Sequence, residues 1–353
     1  MSSDCLVELK TNSFKNPTHA AQVTLDAVRN LVLGNAWTCA KDLFNVLTPT
    51  ERCLFGAINE NAPFARNLIL RCLKIIRDDY TAIYDANKSL DTHTQKPSVG
   101  WDAQPSYAVP FEDLKERLLD SLSELSAEME LNALNMAQHA PQHVHTNDVV
   151  LTMGYSPHVE LFLKTAAKKG RSYHVIVAEG GPEKLGRKMA CSLASEGVAV
   201  TLISDAAVFA VMPKVNKVVL GTYLVMSNGG IRAMCGSHLV ALAASRYAVP
   251  VLICSTSSAL VPEYPEVFEE SMMHKAPFHD FAPKALCVMK DGTRPAMCNP
   301  MYDYVPPDLI SIFLFNSGGY VPSYVYSLRS ELYSLEDISW IPGRSPDGEK
   351  LSQ

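Results

Sequence analysis

The sequence predicts an α/β protein in which a helical N-terminal domain precedes a doubly wound, mostly parallel sheet domain. Three observations carry this. Apolar residues recur every three or four positions through the first 140 residues. From Asp148, five short β-branched runs follow at the spacing of successive βαβ units: "VVLTM", "YHVIVAE", "VAVTLIS", "KVVLG" and "VPVLICS". The runs are apolar throughout, as strands covered on both faces are.

Taken in order, Ala21, Leu25, Val28 and Val32 share one helical face. In "RNLILRCLKIIRDDY" the face is Ile69, Cys72, Leu73, Ile76 and Tyr80. A polar, breaker-rich loop at about 85–108 follows. Phe111, Leu114, Leu118, Leu122, Leu125 and Met129 then form one stripe on a long helix. Pro110 suits its start, and Glu112 and Asp113 suit the positive end of its dipole. The expected limits are a helical domain over 1–145, a Rossmann-like domain over 146–340, and a polar tail over 341–353.

A formal charge of −6 with no basic run argues against nucleic acid as a partner. No apolar run reaches the ~20 residues that span a bilayer, and the polar start "MSSDCLVELKTNSFKN" lacks a signal-peptide core. The nine cysteines, scattered from Cys5 to Cys298 without a Cys-x-x-Cys, read as reduced, mostly core thiols of a cytosolic protein.

Candidate chemistry centres on "NKVVLGTYLVMSNGGIRAMCGS": a strand, the adjacent Gly229 and Gly230, then Gly236 before an alanine-rich helix. That layout holds phosphate in many α/β enzymes. "AEGGPEKLG" lacks the dinucleotide spacing, so Gly180, Gly181 and Gly186 read as a strand-to-helix turn, with Glu179 a solvated carboxylate. His139, His143 and His145 are divided by Pro141, so a hinge is preferred to a metal site, and no metal or cofactor is expected. Ser255, Thr256, Ser257 and Ser258 lack a nucleophile elbow. "MMHKAPFHDF", with His274, His279 and Asp280, reads as an irregular insertion.

The stretch "SDAAVFAVMPKVNKVVLGTYLVMSNGGIRAMCGSHLVALAASRYAVPVLIC" resembles the regulatory subunits of eukaryotic translation initiation factor 2B and their sugar-phosphate isomerase relatives. "VVLTMGYSPHVELFL", "DYVPPDLI", "NSGG", "PSY" and "SELY" are similar to its beta-type members, as is the N-terminal "RNLILRCLKIIRDDY". At the positions matching the isomerases' catalytic cysteine, aspartate and lysine stand Gly154, Tyr223 and Met234. An isomerase must give and accept a proton between carbons. Glycine and methionine cannot, and a tyrosine needs a strongly lowered pKa to do so. Asn316, before Ser317 and Gly318, replaces a family glutamate.

The resemblance implies a non-catalytic regulatory subunit of the exchange factor that returns initiation factor 2 to its GTP-bound form, exchange itself lying in the epsilon subunit. It implies a decamer of alpha, beta, gamma, delta and epsilon subunits, closest pairing with delta, and docking of the alpha subunit of initiation factor 2. Phosphorylation of that subunit would turn it into an inhibitor. For this docking Arg66, Arg71, Lys74 and Arg77 are candidates, charge reversal at Arg71 or Lys74 being expected to alter affinity without disturbing assembly. For assembly the candidates are Tyr302, Tyr304, Asn316, Gly318, Gly319 and Tyr324, with a Pro-Pro helix start between them. The alternatives are a sugar-phosphate isomerase with an unusual set of groups, and a sensor binding sugar phosphate or nucleotide without turnover.

Overall fold

The computed structural model describes residues 17–34, 37–47, 63–91, 106–181, 183–265 and 300–338. These divide into two compact units, one of residues up to Glu130 with those from Leu328 onward, the other Leu131–Ser327. We therefore place the limits of the α/β unit at 131–327, in preference to 146–340. The insertion with His274, His279 and Asp280 lies outside the described residues, as does the tail over 341–353.

The helical unit contains α1 (Pro17–Leu33), α2 (Ala40–Leu47), α3 (Pro63–Asp91) and the first part of α4 (Leu114–Gln138). Ile69, Cys72, Leu73, Ile76 and Tyr80 are buried on α3. This helix runs past Tyr80 to Asp91, into the segment expected to be loop, and the remainder of that loop to 105 is outside the described residues. "TAIYDANKSLD" contains neither Gly nor Pro, so nothing in it stops a helix. Before α2, the Asp42 carboxylate accepts from the Thr38 amide (2.9 Å) and hydroxyl (3.0 Å) and the Cys39 amide (3.2 Å). These bonds hold its carboxyl down at about 2. Leu114, Leu118, Leu122 and Leu125 are buried along α4, whereas Leu131 and Leu134 farther along are half exposed.

In the second unit the five expected strands are β1 (Val149–Met153), β2 (His174–Ala178), β3 (Ala199–Ile203), β4 (Lys217–Gly221) and β7 (Val251–Cys254). Between them lie the short β5 (Leu224–Val225) and β6 (Ile231–Met234); β8 (Tyr302–Val305), β9 (Ile312–Phe315) and β10 (Gly318–Tyr320) follow. The main sheet has the order β10-β9-β7-β4-β1-β2-β3, parallel except for β10. Helices α5 (Pro157–Lys168), α6 (Gly186–Ala194) and α7 (Ser237–Arg246) connect its strands. Val150, Phe162, Leu163, Val175, Val177, Met189 and Leu193 form the core between the sheet and α5 and α6. The expectation that every strand is covered on both faces fails at β3: Ala199, Thr201 and Leu202 are exposed, as an edge strand with one neighbour allows.

A second sheet of order β5-β6-β8 is antiparallel and was not expected. The Pro-Pro pair starts no α-helix. Pro307–Leu309 is a 3-10 turn joining β8 to β9.

Candidate functional site

Strand order reverses between β1 and β4, and the crevice beyond the C-terminal ends of these strands is where doubly wound sheets take ligands. Its walls are Gly154 after β1, Glu179–Gly181 after β2, Asp205 after β3, Tyr223 after β4 and Gly236 ahead of α7. The structure brings Gly154 and Met234 together. Gly154 has φ +60°, and a Cβ there would overlap the Met234 sulfur. A Cβ on Gly180 would lie 2.9 Å from the Gly154 Cα and 3.1 Å from the same sulfur. Met153 fills the space beside Gly236 in the same way. Two thioethers, those of Met234 and Met153, therefore fill the space beside Gly154, Gly180 and Gly236.

Tyr223 stacks on Tyr302 with ring centroids 4.4 Å apart. Burial pushes its phenol up, which keeps the proton on. None of the three isomerase positions thus offers a group that exchanges a proton near neutral pH. A cysteine does stand nearby. Burial, then the Asp303 carboxylate beside it, push the Cys235 thiol up to about 11, so it stays a thiol.

The Asn228–Gly230 turn is the tip of the β5–β6 hairpin. Gly229 donates to the Met226 carbonyl (2.9 Å) and Gly230 to Asn228 Oδ1 (3.0 Å), so both amides serve the turn. Gly229, at φ +80°, lies against the Pro322 carbonyl. Glu179, expected to be solvated, lies 3.6 Å from Arg187 and 3.8 Å from Lys184. At the expected hinge, the His143 carbonyl accepts from Lys217 Nζ at 2.6 Å and the His145 amide donates to Asp148 Oδ2 at 2.6 Å. Ser255 donates to the Thr256 carbonyl at 3.3 Å, and Thr256 bonds Ser258 at 2.8 Å. Among the described residues no set of three His, Cys, Asp or Glu is arranged for a metal, and no helix is long and apolar enough to cross a membrane.

In the helical unit the basic candidates of α3 have work inside the fold. Arg71 is only 7% exposed and pairs with Glu128 at 3.3 Å. Arg77 contacts Asp337 at 2.7 Å and Glu336 at 2.5 Å, and its guanidinium lies 4.6 Å over the Phe44 ring. Lys74 donates to the Ser330 carbonyl at 3.1 Å, and Arg66 is half-buried. An open groove of about 450 Å³ is lined by Lys74, Ile75, Asp78, Glu124, Leu125 and Glu331 among others. Carboxylates outnumber cations there.

Of the assembly candidates, Tyr302 and Tyr304 serve their own unit. Tyr304 accepts a hydrogen bond from Asn228 Nδ2 at 2.7 Å and packs where a side chain on Gly230 would stand. Asn316 occupies the β9–β10 turn, Gly318 (φ +137°) lets that turn close, and Gly319 lies against Ile312. Tyr324 is 40% exposed, stacks on Tyr320 at 4.9 Å, and has the exposed Val321 and Tyr326 nearby in sequence. A second apolar face had no signal beyond ordinary helix composition: Phe209 and Tyr247, rings 5.4 Å apart, with Leu239 and Leu242 exposed on α7.

A model of the Initiation factor 2 subunit family matches residues 65–322. The chain is 38% identical over 256 residues to translation initiation factor eIF2B subunit beta of Dictyostelium discoideum, across 71% of this chain and 64% of that protein. It is 30% identical to the subunit of the same name from Schizosaccharomyces pombe, across 95% and 96% of the two chains. The crystal structure of eIF2B beta from Chaetomium thermophilum superposes with a TM-score of 0.72 at 25% identity, over 95% of this chain and 92% of that one. Two further structures share the fold. They are a tetrameric eIF2B-beta2-delta2 complex from C. thermophilum (TM-score 0.67, 23% identity, 94% and 93% covered) and 5-methylthioribose 1-phosphate isomerase from Pyrococcus horikoshii OT3 (0.55, 14%, 93% and 86%).

Proposed function

The chain belongs to the Initiation factor 2 subunit family, and from that premise we propose that it is a beta-type regulatory subunit without chemistry of its own. Its place is in the exchange factor that returns initiation factor 2 to the GTP-bound form, exchange lying in the epsilon subunit. What supports this reading is the crevice: the positions matched to an isomerase's nucleophile and cation are Gly154 and Met234, and the position matched to its carboxylate is Tyr223, whose phenol burial pushes up. Partners follow from the same premise. A delta-type relative is the first, since beta and delta chains are named together in the tetrameric complex. Alpha, gamma and epsilon subunits complete the assembly. The Tyr324 edge and the Phe209–Tyr247 face supply exposed aromatic area of the kind that anchors interfaces.

Docking of initiation factor 2 belongs to the helical unit. Arg71 and Arg77 are spent within the fold, so charge reversal at Arg71 disturbs the unit as well as any docking. The side chains open to a partner beside α3 and α4 are Asp78, Glu124 and Glu331, with Lys74 half-buried among them. This excess of negative charge suits a basic surface of the unphosphorylated factor and disfavours a phosphoserine at the same spot.

The test is the native mass of the tagged chain purified from its own cells. Co-purification of four further subunits together with initiation factor 2 is the expected result. A chain that elutes alone, or only with copies of itself, contradicts the assignment.

A further inference from the structure

We propose that Asp205 and Asp303 are built-in anions, their carboxylates occupying the two groups of backbone amides at which this crevice would otherwise hold a phosphate. The first group is the pair of successive amides after β2. Gly180 N–H donates to Asp205 Oδ1 at 2.9 Å and Gly181 N–H to Asp205 Oδ2 at 2.7 Å, so one carboxylate spans both. The second is the start of α7. Gly236 N–H and His238 N–H converge on Asp303 Oδ2 at 2.5 and 3.4 Å. Amides pointing outward at the positive end of a ten-residue helix are what an anion seeks.

Neither aspartate is a local cap. Asp205 comes from the end of β3, and Asp303 from β8, where its pairing with Ala233 of β6 fixes its position. The two strand ends that would cradle a ligand are thus closed by carboxylates delivered from other strands. Cys235, next to Gly236, feels both. After burial, the Asp303 carboxylate and then that of Asp205 oppose loss of its proton. The cations near the β2 end, Lys184 and Arg187, face Glu179. A phosphate approaching either group would meet a fixed negative charge and amides already bonded to it. This deepens the reading of the crevice as architecture and is independent of which partners the chain has.

The experiment titrates the full-length protein with inorganic phosphate, observed by amide NMR. It is paired with peptide-resolved mass spectrometry of iodoacetamide alkylation at Cys235. The wild-type protein is expected to show no saturable phosphate shift at Gly180, Gly181 or Gly236. Asp205→Ala and Asp303→Ala should each create one, with affinity gained by roughly tenfold or more. Asp303→Asn, which keeps the shape, should speed Cys235 alkylation by roughly tenfold, because the thiolate is the reacting form. Saturable binding to the wild-type amides overturns the proposal. So do folded variants that neither gain phosphate nor expose a faster Cys235. If the alanine variants do not fold, Asp205→Asn and Asp303→Asn decide by the same two readouts. Loss of the proposal in this assay leaves the native mass of the complex untouched, so the two failures are distinguishable.

Discussion

Arg77→Ala is expected to cost the helical unit about 3–5 kcal/mol, the range for removing one partner of a buried ion pair. The Asp337 side chain is fully buried, and the Arg77 guanidinium lies against it at 2.7 Å. The Arg77 Nε donates to the same carboxylate at 3.1 Å, making the contact two-pronged. The guanidinium also covers the Phe44 ring at 4.6 Å and the Tyr107 ring at 5.3 Å, contacts alanine cannot replace. Truncation therefore strands a buried carboxylate and uncovers two aromatic faces. Lys74→Ala, which removes one exposed bond to the Ser330 carbonyl, should cost less than about 1 kcal/mol. Urea unfolding of the full chain, followed by helical signal, separates the two variants. The double substitution Arg77→Leu with Asp337→Leu should recover much of the loss, because no lone charge remains. Equal midpoints for Arg77→Ala and the wild type would show that the pair does not hold the C-terminal segment in the unit.

Gly186→Ala is expected to destabilise the α/β unit by about 1–3 kcal/mol or more, through overpacking against main chain. A Cβ at this position would press on the Ala178 carbonyl and lie 2.9 Å from both the Cα and the carbonyl oxygen of Glu179. These atoms belong to the end of a central strand and cannot move without breaking the bond from Gly186 N–H to the Glu179 carbonyl, 2.9 Å long. No side chain rotates away to relieve it. Gly170→Ala is the control, since its Cβ meets nothing within 4 Å and only its φ of +83° opposes the change. That backbone penalty is about 1–2 kcal/mol. Thermal unfolding should rank Gly186→Ala below Gly170→Ala; the reverse order would mean the helix start yields easily.

Much of the fold could be read from residue pattern. "VVLTM" and "VPVLICS" are apolar at nearly every position because β1 and β7 are interior strands, and that local feature survives in the sequence. "YDYV" and "IFLF" escaped the same treatment. Their aromatics suggested a surface for partners, whereas Tyr304 and Phe313 complete β8 and β9 of their own unit. What depends on residue identity alone can be read directly: glycine at 154 and methionine at 234 carry no group that takes or gives a proton. It was illegible where it depended on who meets whom. Nothing near Arg77 announces a carboxylate 260 positions away, and nothing near Gly236 announces Asp303. Positive charge on a helix reads alike whether it faces solvent or a buried partner, which is why Arg71 resembled a docking residue.

Turnover by the isolated chain is the measurement that bears most directly on this account. The purified protein, at saturating ribose 5-phosphate and, separately, 5-methylthioribose 1-phosphate, is followed by phosphorus NMR for a ketose product. The expected spectrum is unchanged substrate at every time point, because neither Gly154, nor Met234, nor a Tyr223 phenol pushed up by burial carries a proton from one carbon to the next. A ketose signal that grows with protein concentration, and vanishes when the crevice is altered at Tyr223 or Cys235, would contradict it.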